Sequence, residues 1–487
     1  MLLRYRDASR PGLPALRIYE FMAFIALLVL LAQNLGLGKT YPWGMLPYDL
    51  GRWLWLVLSL GLLALLLEQV GLVRFGRRWQ RGVSACERAL GHRAAFIGLL
   101  AYNALFAVVS YNHFGRFGYA FPWAHLVLLA AAAAFVRRDR FWLSCLVSLG
   151  LLAASVIHFP LAVERSGMLP GIQAAWNNFA IGRSPVPYPP NPQAGYWAIL
   201  FSLPGIFFSH GPAWVLGLDL RWGQAVWRLA WMLVIGTALG KHAPGSPWRT
   251  VAHVFVLNPY YNFRHDLYFE GFLFLVAAYH AWPAWRWLCL PALGWTRPSA
   301  WVMAPFLALD WLVNRRREAG GAPLEPRLDW RRIARQAGWL ALGTGLVTAA
   351  VALPWWRSTP LSLLVMRSRE LAAPQPAFEY GLTLGPLAST LGVSFVLQPL
   401  QAALSAVLGL WTLWCWWSRR AVAAEQAAEA IERMGLVTLC AIVLLNPYFE
   451  LYFWFDAGFW MLAAYAPREP ERRRPLRGAL PAAASAR

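Results

Sequence analysis

Arg264, His265, Asp266 and Glu270 fall within seven residues of one another, in the stretch Asn258-Pro-Tyr-Tyr-Asn-Phe-Arg-His-Asp-Leu-Tyr-Phe-Glu270. Arg264 and His265 could hold a phosphate by charge-assisted hydrogen bonds, while Asp266 or Glu270 could accept a proton or bind a divalent metal. No other segment offers all three roles. Asp266 and Glu270 are one helical turn apart and could share a face, whereas His265 and Glu270 are too far apart for that pairing. The runs on either side are strongly apolar. In a bilayer an ionisable side chain costs roughly 2.5–3.5 kcal/mol at a helix centre, so such residues normally face a protein interior or a wet cavity. The segment reads as a functional site, with a salt-bridged structural cluster as the open alternative.

The chain repeats this pattern near its end. Asn446-Pro-Tyr-Phe-Glu-Leu-Tyr-Phe-Trp-Phe-Asp456 leads to Tyr465 as Asn258-Pro-Tyr-Tyr leads through Glu270 to Tyr279, and in both copies an acid stands nine residues before the final Tyr. The bland account is that Asn-Pro ends one short helix and the acid caps the next. A third region for chemistry is 356–392, which holds Arg357, Arg367, Arg369, Glu370 and Glu379.

The elements that position these residues follow from composition. With 59% hydrophobic and 14% charged residues over 487 positions, the chain is not built of ordinary globular domains. Apolar runs at 18–35, 53–73, 94–109, 126–136 and 337–351 approach or exceed the ~20 residues that cross a ~30 Å hydrocarbon core. The expected fold is all-α, a polytopic helical membrane protein with about 10–13 transmembrane helices. Shorter runs at 251–261, 267–279, 287–293 and 300–313 predict broken helices whose ends meet inside the protein.

The net charge of +21 does not indicate nucleic acid, because the basic residues gather in short breaks between apolar runs. Breaks at 74–93, 137–140, 315–335, 419–420 and 468–477 place both termini in the cytoplasm, with a bacterial cytoplasmic membrane as the expected location. Cys86, Cys145, Cys289, Cys415 and Cys440 stand singly and indicate neither a disulfide framework nor a zinc site. The first apolar run is too long for a cleaved signal peptide and is expected to remain as a span.

Four regions result: an N-terminal bundle of about four helices over 1–140, a core over 141–356 with an external loop at 161–195, a C-terminal part over 357–466, and a disordered basic tail over 467–487. The external loop is too rich in proline to span, and a short interfacial helix is expected around 172–180.

Taken in order, Gly182-Arg-Ser-Pro-Val-Pro-Tyr-Pro-Pro190, Asn258-Pro-Tyr through Arg264-His-Asp266, and Gly294-Trp-Thr-Arg-Pro-Ser-Ala-Trp-Val-Met-Ala-Pro305 carry a family likeness. The chain resembles integral-membrane glycosyltransferases of the GT-C superfamily, and most nearly the bacterial polyprenol-phosphate-mannose-dependent mannosyltransferases. Residues 141–356 cover the likeness, whose weight lies in the order and spacing of the pieces. It implies a GT-C-like fold and transfer of a sugar, mannose or a similar hexose, from a polyprenyl-phosphate donor to a lipid or glycan acceptor on the extracytoplasmic face. Inversion at the anomeric carbon by a carboxylate base is implied too. Candidate donor-phosphate ligands are Arg264, His265, Arg297, Arg367 and Arg369; loop and substrate candidates are Arg183, Tyr188, Asn258 and Tyr260. No defined cofactor is called for, a divalent metal being the open option, and the expected partners are the donor, the acceptor and membrane lipids.

Two departures stand out. The family places its catalytic Asp at the start of the external loop, where this chain reads Met168-Leu-Pro-Gly-Ile-Gln-Ala-Ala-Trp176 without an acid. Glu164 is the first substitute, then Asp266 and Glu270. The extra N-terminal helices, with His113, His125 and His158, faintly resemble bundles related to the vitamin-K-dependent carboxylase. A non-catalytic lipid-binding membrane protein, or a transporter with a midplane site between broken helices, is the alternative function.

Overall fold

The computed structural model describes residues 140–158, 168–182, 204–241, 247–257, 270–314, 330–352 and 392–418, helical positions at 130, 131, 134, 262, 388, 431, 434–439, 441–442, 456, 459–460 and 462–464, and a turn at 445. All regular structure among these residues is helical, as the expected all-α class requires, and none is strand. One helix among them, Phe141–His158, is long and apolar enough to cross a membrane. The regions 1–129 and 467–487, and so most of the expected N-terminal bundle and all of the basic tail, lie outside the described residues.

Helix α1 (Phe141–His158) buries Phe141, Ser144, Cys145, Ser148, Leu151, Leu152 and Ser155, a stripe at three- and four-residue spacing. Its opposite side exposes Trp142, Leu146 and Ile157. Helix α2 (Met168–Ala180) stands where the external-loop helix was expected and begins four residues earlier, at Met168. The run over 201–218, broken by proline and glycine, forms two short helices, α3 (Pro204–Ser209) and α4 (Gly211–Val215). Gly217, at a φ of 65°, closes α4 by donating its N–H to Trp214, while Leu218 donates to Ala213. That left-handed turn satisfies the last carbonyls of α4 at little steric cost because Gly217 has no Cβ.

Asp219 then caps α5 (Leu220–Leu239), accepting the backbone N–H of Arg221 at 2.9 Å. On α5 the polar side chains again face inward: Arg221, Gln224 and Arg228 are buried with Trp231 and Ile235, while Val226, Leu229 and Leu233 are exposed. A globular helix shows the reverse distribution.

After α5 come short helices, as the broken apolar runs predict: α6 (Pro247–Val256), α7 (Glu270–Ala281), a 3-10 turn (Pro283–Trp285), α8 (Arg286–Gly294) and α9 (Pro298–Asn314). None reaches the ~20 residues of a full span. Longer helices follow, α10 (Trp330–Ala352) and α11 (Leu397–Ser418). Helix α7 is central, burying Phe272, Leu273, Val276, Ala277 and Tyr279 against α5 on one side and α8 on the other. Around it α5 packs on α1, α1 on α6, and α8 on α9 and α10.

A second, smaller apolar cluster fastens α2. Trp176 stacks on Phe207 at 4.1 Å between centroids and donates its indole N–H to the Phe207 carbonyl at 3.1 Å, while Trp214 donates to Asn177 at 2.9 Å. These contacts tie the described part of the 161–195 loop to the start of α5, since Leu220 belongs to the same cluster.

Helices α8 and α10 approach through Gly343, where an added Cβ would collide with the Trp287 carbonyl, whereas Gly345 two residues on has nothing within 4 Å. Gly343→Leu is expected to lower the melting temperature of the detergent-solubilised protein by at least several degrees. Gly345→Leu is expected to leave it unchanged or slightly raised, because leucine favours helix by roughly 0.8 kcal/mol over glycine. Equal melts for the two variants would refute this packing.

Candidate functional site

Arg228, in the middle of α5, is fully buried and organises the polar interior. Its Nε and Nη2 donate to Glu270 Oε1 at 2.8 and 2.7 Å, and Trp231, one turn along α5, donates its indole N–H to Glu270 Oε2 at 2.8 Å. Both carboxylate oxygens are therefore served. The third guanidinium nitrogen, Nη1, donates to Asn262 Oδ1 at 3.3 Å and to the Oγ and carbonyl oxygen of Ser148 at 3.3 and 3.4 Å. Ser148 in turn donates to Asn262 Oδ1 at 2.7 Å, and Asn262 donates to the Val256 carbonyl at 2.8 Å. One guanidinium thus joins α1, α5, Asn262 beyond α6 and the start of α7. A planar group with five donors can do this, and an ammonium could not match the geometry.

Asn262 and Glu270, which bracket 263–269, both bind Arg228, so the two ends of that segment are fixed to one side chain.

A second buried pair lies on the other side of α7. Arg297, just before α9, donates from Nη1 to Asp456 Oδ2 at 2.8 Å, and Ser299 donates to the same oxygen at 3.4 Å. The Arg297 guanidinium lies over the Phe272 ring at 5.6 Å, a cation–π contact. The two pairs touch through aromatic rings: Trp231 meets Phe459 at 5.1 Å and Phe272 meets Trp460 at 5.8 Å, both edge-on. The acids of the two Asn-Pro-Tyr copies are therefore each held by a buried arginine from elsewhere in the chain.

Of the residues singled out from sequence, Glu270 and Arg297 are described, and the structure holds each in an ion pair. Glu270, expected as a base, accepts three N–H groups, two from Arg228 and one from Trp231. Arg297, expected as a phosphate ligand, spends its Nη1 on Asp456. The physical reason is the same for both: a charge this deep is stable only with a partner. Glu164, Arg183, Tyr188, Asn258, Tyr260, Arg264, His265, Asp266, Arg367 and Arg369 lie outside the described residues, as do His113 and His125. Arg228 carried a sequence signal, an arginine inside an apolar run that demands an acid partner. Which acid it takes was not evident, because Glu270 is 42 positions away.

Among the described residues no three His, Cys, Asp or Glu side chains are grouped as metal ligands. Ser144 and His253 share a buried hydrogen bond of 2.8 Å between α1 and α6. An open apolar recess of about 660 Å³ lies at the turn from α7 to α8, lined by Phe274, Ala278, Trp282, Trp285 and Cys289 among others. Its surface suits hydrocarbon rather than a charged group.

His210 sits in the turn between α3 and α4, outside any helix of spanning length, and is fully buried beside Gln224, with 3.4 Å between their Nε2 atoms. Burial pushes its pKa down to about 4. No family model, characterised protein or solved structure matches the chain.

Removing one member of the central pair leaves the other charged and buried, so Arg228→Leu or Glu270→Leu alone should cost about 3–5 kcal/mol. The double variant should regain most of that loss. Thermal or denaturant melts of the four proteins check this, and additive single effects would refute the pairing.

His210 supplies a pH signature. Its folded-state pKa lies below the unfolded value near 6.5, so the unfolded chain binds the proton first, and stability falls as pH drops from about 6.5 toward 4. His210→Gln should flatten this acid-side decline by roughly 3 °C or more in melting temperature, with little change above neutral pH. Parallel melts across pH give the comparison.

Proposed function

We propose that this chain is a polytopic integral membrane protein that transfers a hexose from a polyprenyl-phosphate donor to a lipid or glycan acceptor on the extracytoplasmic face, with both termini cytoplasmic. What supports the membrane reading is the distribution of side chains on α1 and α5. Ser144, Ser148, Ser155, Arg221, Gln224 and Arg228 point inward, while Trp142, Leu146, Ile157, Val226, Leu229 and Leu233 face out. Lipid is the solvent in which such outward faces are stable. Helix α11 adds exposed Leu400, Val407, Leu410, Leu413 and Trp414.

The observation that carries the transfer reading is the double hold of Arg228 on Asn262 and Glu270. The described positions on either side of 263–269, Asn262 and Glu270, share one buried arginine, a fixed support of the kind a site for a phosphosugar needs. Arg264 and His265 would meet the donor phosphate, and the base would come from Glu164 or Asp266, since Glu270 is already engaged. The apolar recess lined by Trp282 and Trp285 offers a surface of the kind an isoprenoid chain covers.

One observation favours the second reading, a lipid-binding or transport protein without catalysis: both described candidates, Glu270 and Arg297, are neutralised within the protein. Purified protein mixed with radiolabelled polyprenyl-phosphate mannose and a membrane lipid extract separates the two. Transfer is expected with the wild type, with a loss of about 100-fold or more in whichever of Glu164→Gln and Asp266→Asn removes the base. No transfer from any lipid-linked donor would overturn the transferase reading in favour of the second.

A further inference from the structure

We propose that the apolar recess at the turn from α7 to α8 holds one anionic phospholipid, with an acyl chain in the recess and the phosphate on Arg286. The inference rests on the membrane part of the reading above and is independent of sugar transfer.

The recess, about 660 Å³, is lined by Phe274 and Ala278 of α7, Trp282 and Trp285 of the turn and Cys289 of α8, among others. No lining side chain is charged or carries a hydroxyl or amide, so what fills it is hydrocarbon. Trp282 and Trp285 are exposed beside it, as tryptophans are where a membrane meets water.

Arg286 follows directly in the chain. Its Nε donates to the Tyr279 carbonyl at 3.0 Å and its guanidinium lies over the Tyr279 ring at 5.2 Å, which holds the side chain against the end of α7. Its Nη1 and Nη2 make no hydrogen bond or ion pair with a described residue. It is half-buried, and it stands close enough to the Cys289 thiol, which lines the recess, to act on it electrostatically. A cation held by one nitrogen therefore offers its two others at the edge of a hydrocarbon surface, the fork that a phosphate accepts. An acyl chain and a phosphate belong to one molecule in a phospholipid.

An isoprenoid chain could cover the same surface, and the level of the recess favours a phospholipid. Helices α8 and α10 run in the same direction, since Trp287 meets Trp339 at 5.4 Å between ring centroids and Trp295 donates to Thr348 at 3.3 Å. The recess thus lies toward the start of α10, where Arg331 and Arg335 are exposed. The turn is also ~16 Å along α7 from Glu270, which adjoins 263–269. By the positive-inside rule the start of α10 is cytoplasmic, the side of negative lipid surface potential and opposite the face proposed for transfer.

The full-length protein in detergent, titrated with dioleoyl phosphatidylglycerol or dioleoyl phosphatidylcholine in mixed micelles, gives bound lipid by native mass spectrometry. One phosphatidylglycerol should bind about 10-fold more tightly than phosphatidylcholine. Arg286→Gln should remove most of that preference, and Arg286→Lys should keep part of it. Ala284→Phe, at an exposed lining position, should weaken both lipids about 10-fold, and it carries the test if Arg286→Gln does not fold. Equal binding of the two lipids by the wild type, a preference unchanged in Arg286→Gln, or binding unchanged in Ala284→Phe overturns the proposal. So does tighter binding of polyprenyl phosphate that Ala284→Phe abolishes, which would give the recess to the donor, or a lipid-independent dimer that Ala284→Phe breaks, which would give it to a second copy. Alkaline carbonate extraction separates the failures: release of the chain from membranes overturns the membrane reading and this site with it, whereas an integral protein without the lipid preference overturns the site alone.

Discussion

The described interior depends on one desolvated charge. Arg228 cannot lie buried in α5 without a counter-charge and acceptors for its remaining N–H groups, and satisfying it brings four chain segments to one point. Ser148 comes from α1, Asn262 from beyond α6, and Glu270 begins α7. Trp231 completes the second carboxylate oxygen from the same helix as Arg228, so α5 supplies both charge and neutral donor to a single acid. Such a network contributes less to net stability than it does to uniqueness: its groups have few other arrangements in which all are bonded.

The second pair repeats the logic with different elements. Glu270 and Asp456 occupy equivalent places in the two Asn-Pro-Tyr copies, and each finds an arginine that no local spacing would suggest. The copies are not equivalent in chemistry. Glu270 accepts at both oxygens, whereas Asp456 accepts from Arg297 and Ser299 at Oδ2 and its Oδ1 is buried without a hydrogen-bond partner. Phe272, two residues after Glu270, lies under the arginine of the other pair, so the two acids share the aromatic layer that separates them.

Around these pairs polar and apolar side chains share the buried faces of the helices. On α1 and α5 hydroxyls, an amide and guanidinium groups are buried beside Leu151, Leu152, Trp231 and Ile235, while Trp142, Leu146, Ile157, Val226, Leu229 and Leu233 are exposed. Buried charges and exposed apolar side chains thus occur on the same helices. The loop helix α2 is kept in place by an aromatic cluster around Trp176 rather than by the main core.

The sequence by itself determined what depends on local physics. Apolar runs foretold the all-α class and the short helices from α6 to α9, while the stretch from 196 to 249 stayed ambiguous. It also singled out Glu270 and Arg297 as charges needing an explanation. Local signals carried little beyond that: helix α2 begins at Met168, ahead of the expected 172, because Leu169 and Ile172 bury into the cluster around Trp176. Only the tertiary structure decided the partners. Arg228 meets Glu270 across 42 positions and Arg297 meets Asp456 across 159, and at such separations no spacing rule operates. The choice among acids is made by which helices pack together, and therefore by the whole interior at once.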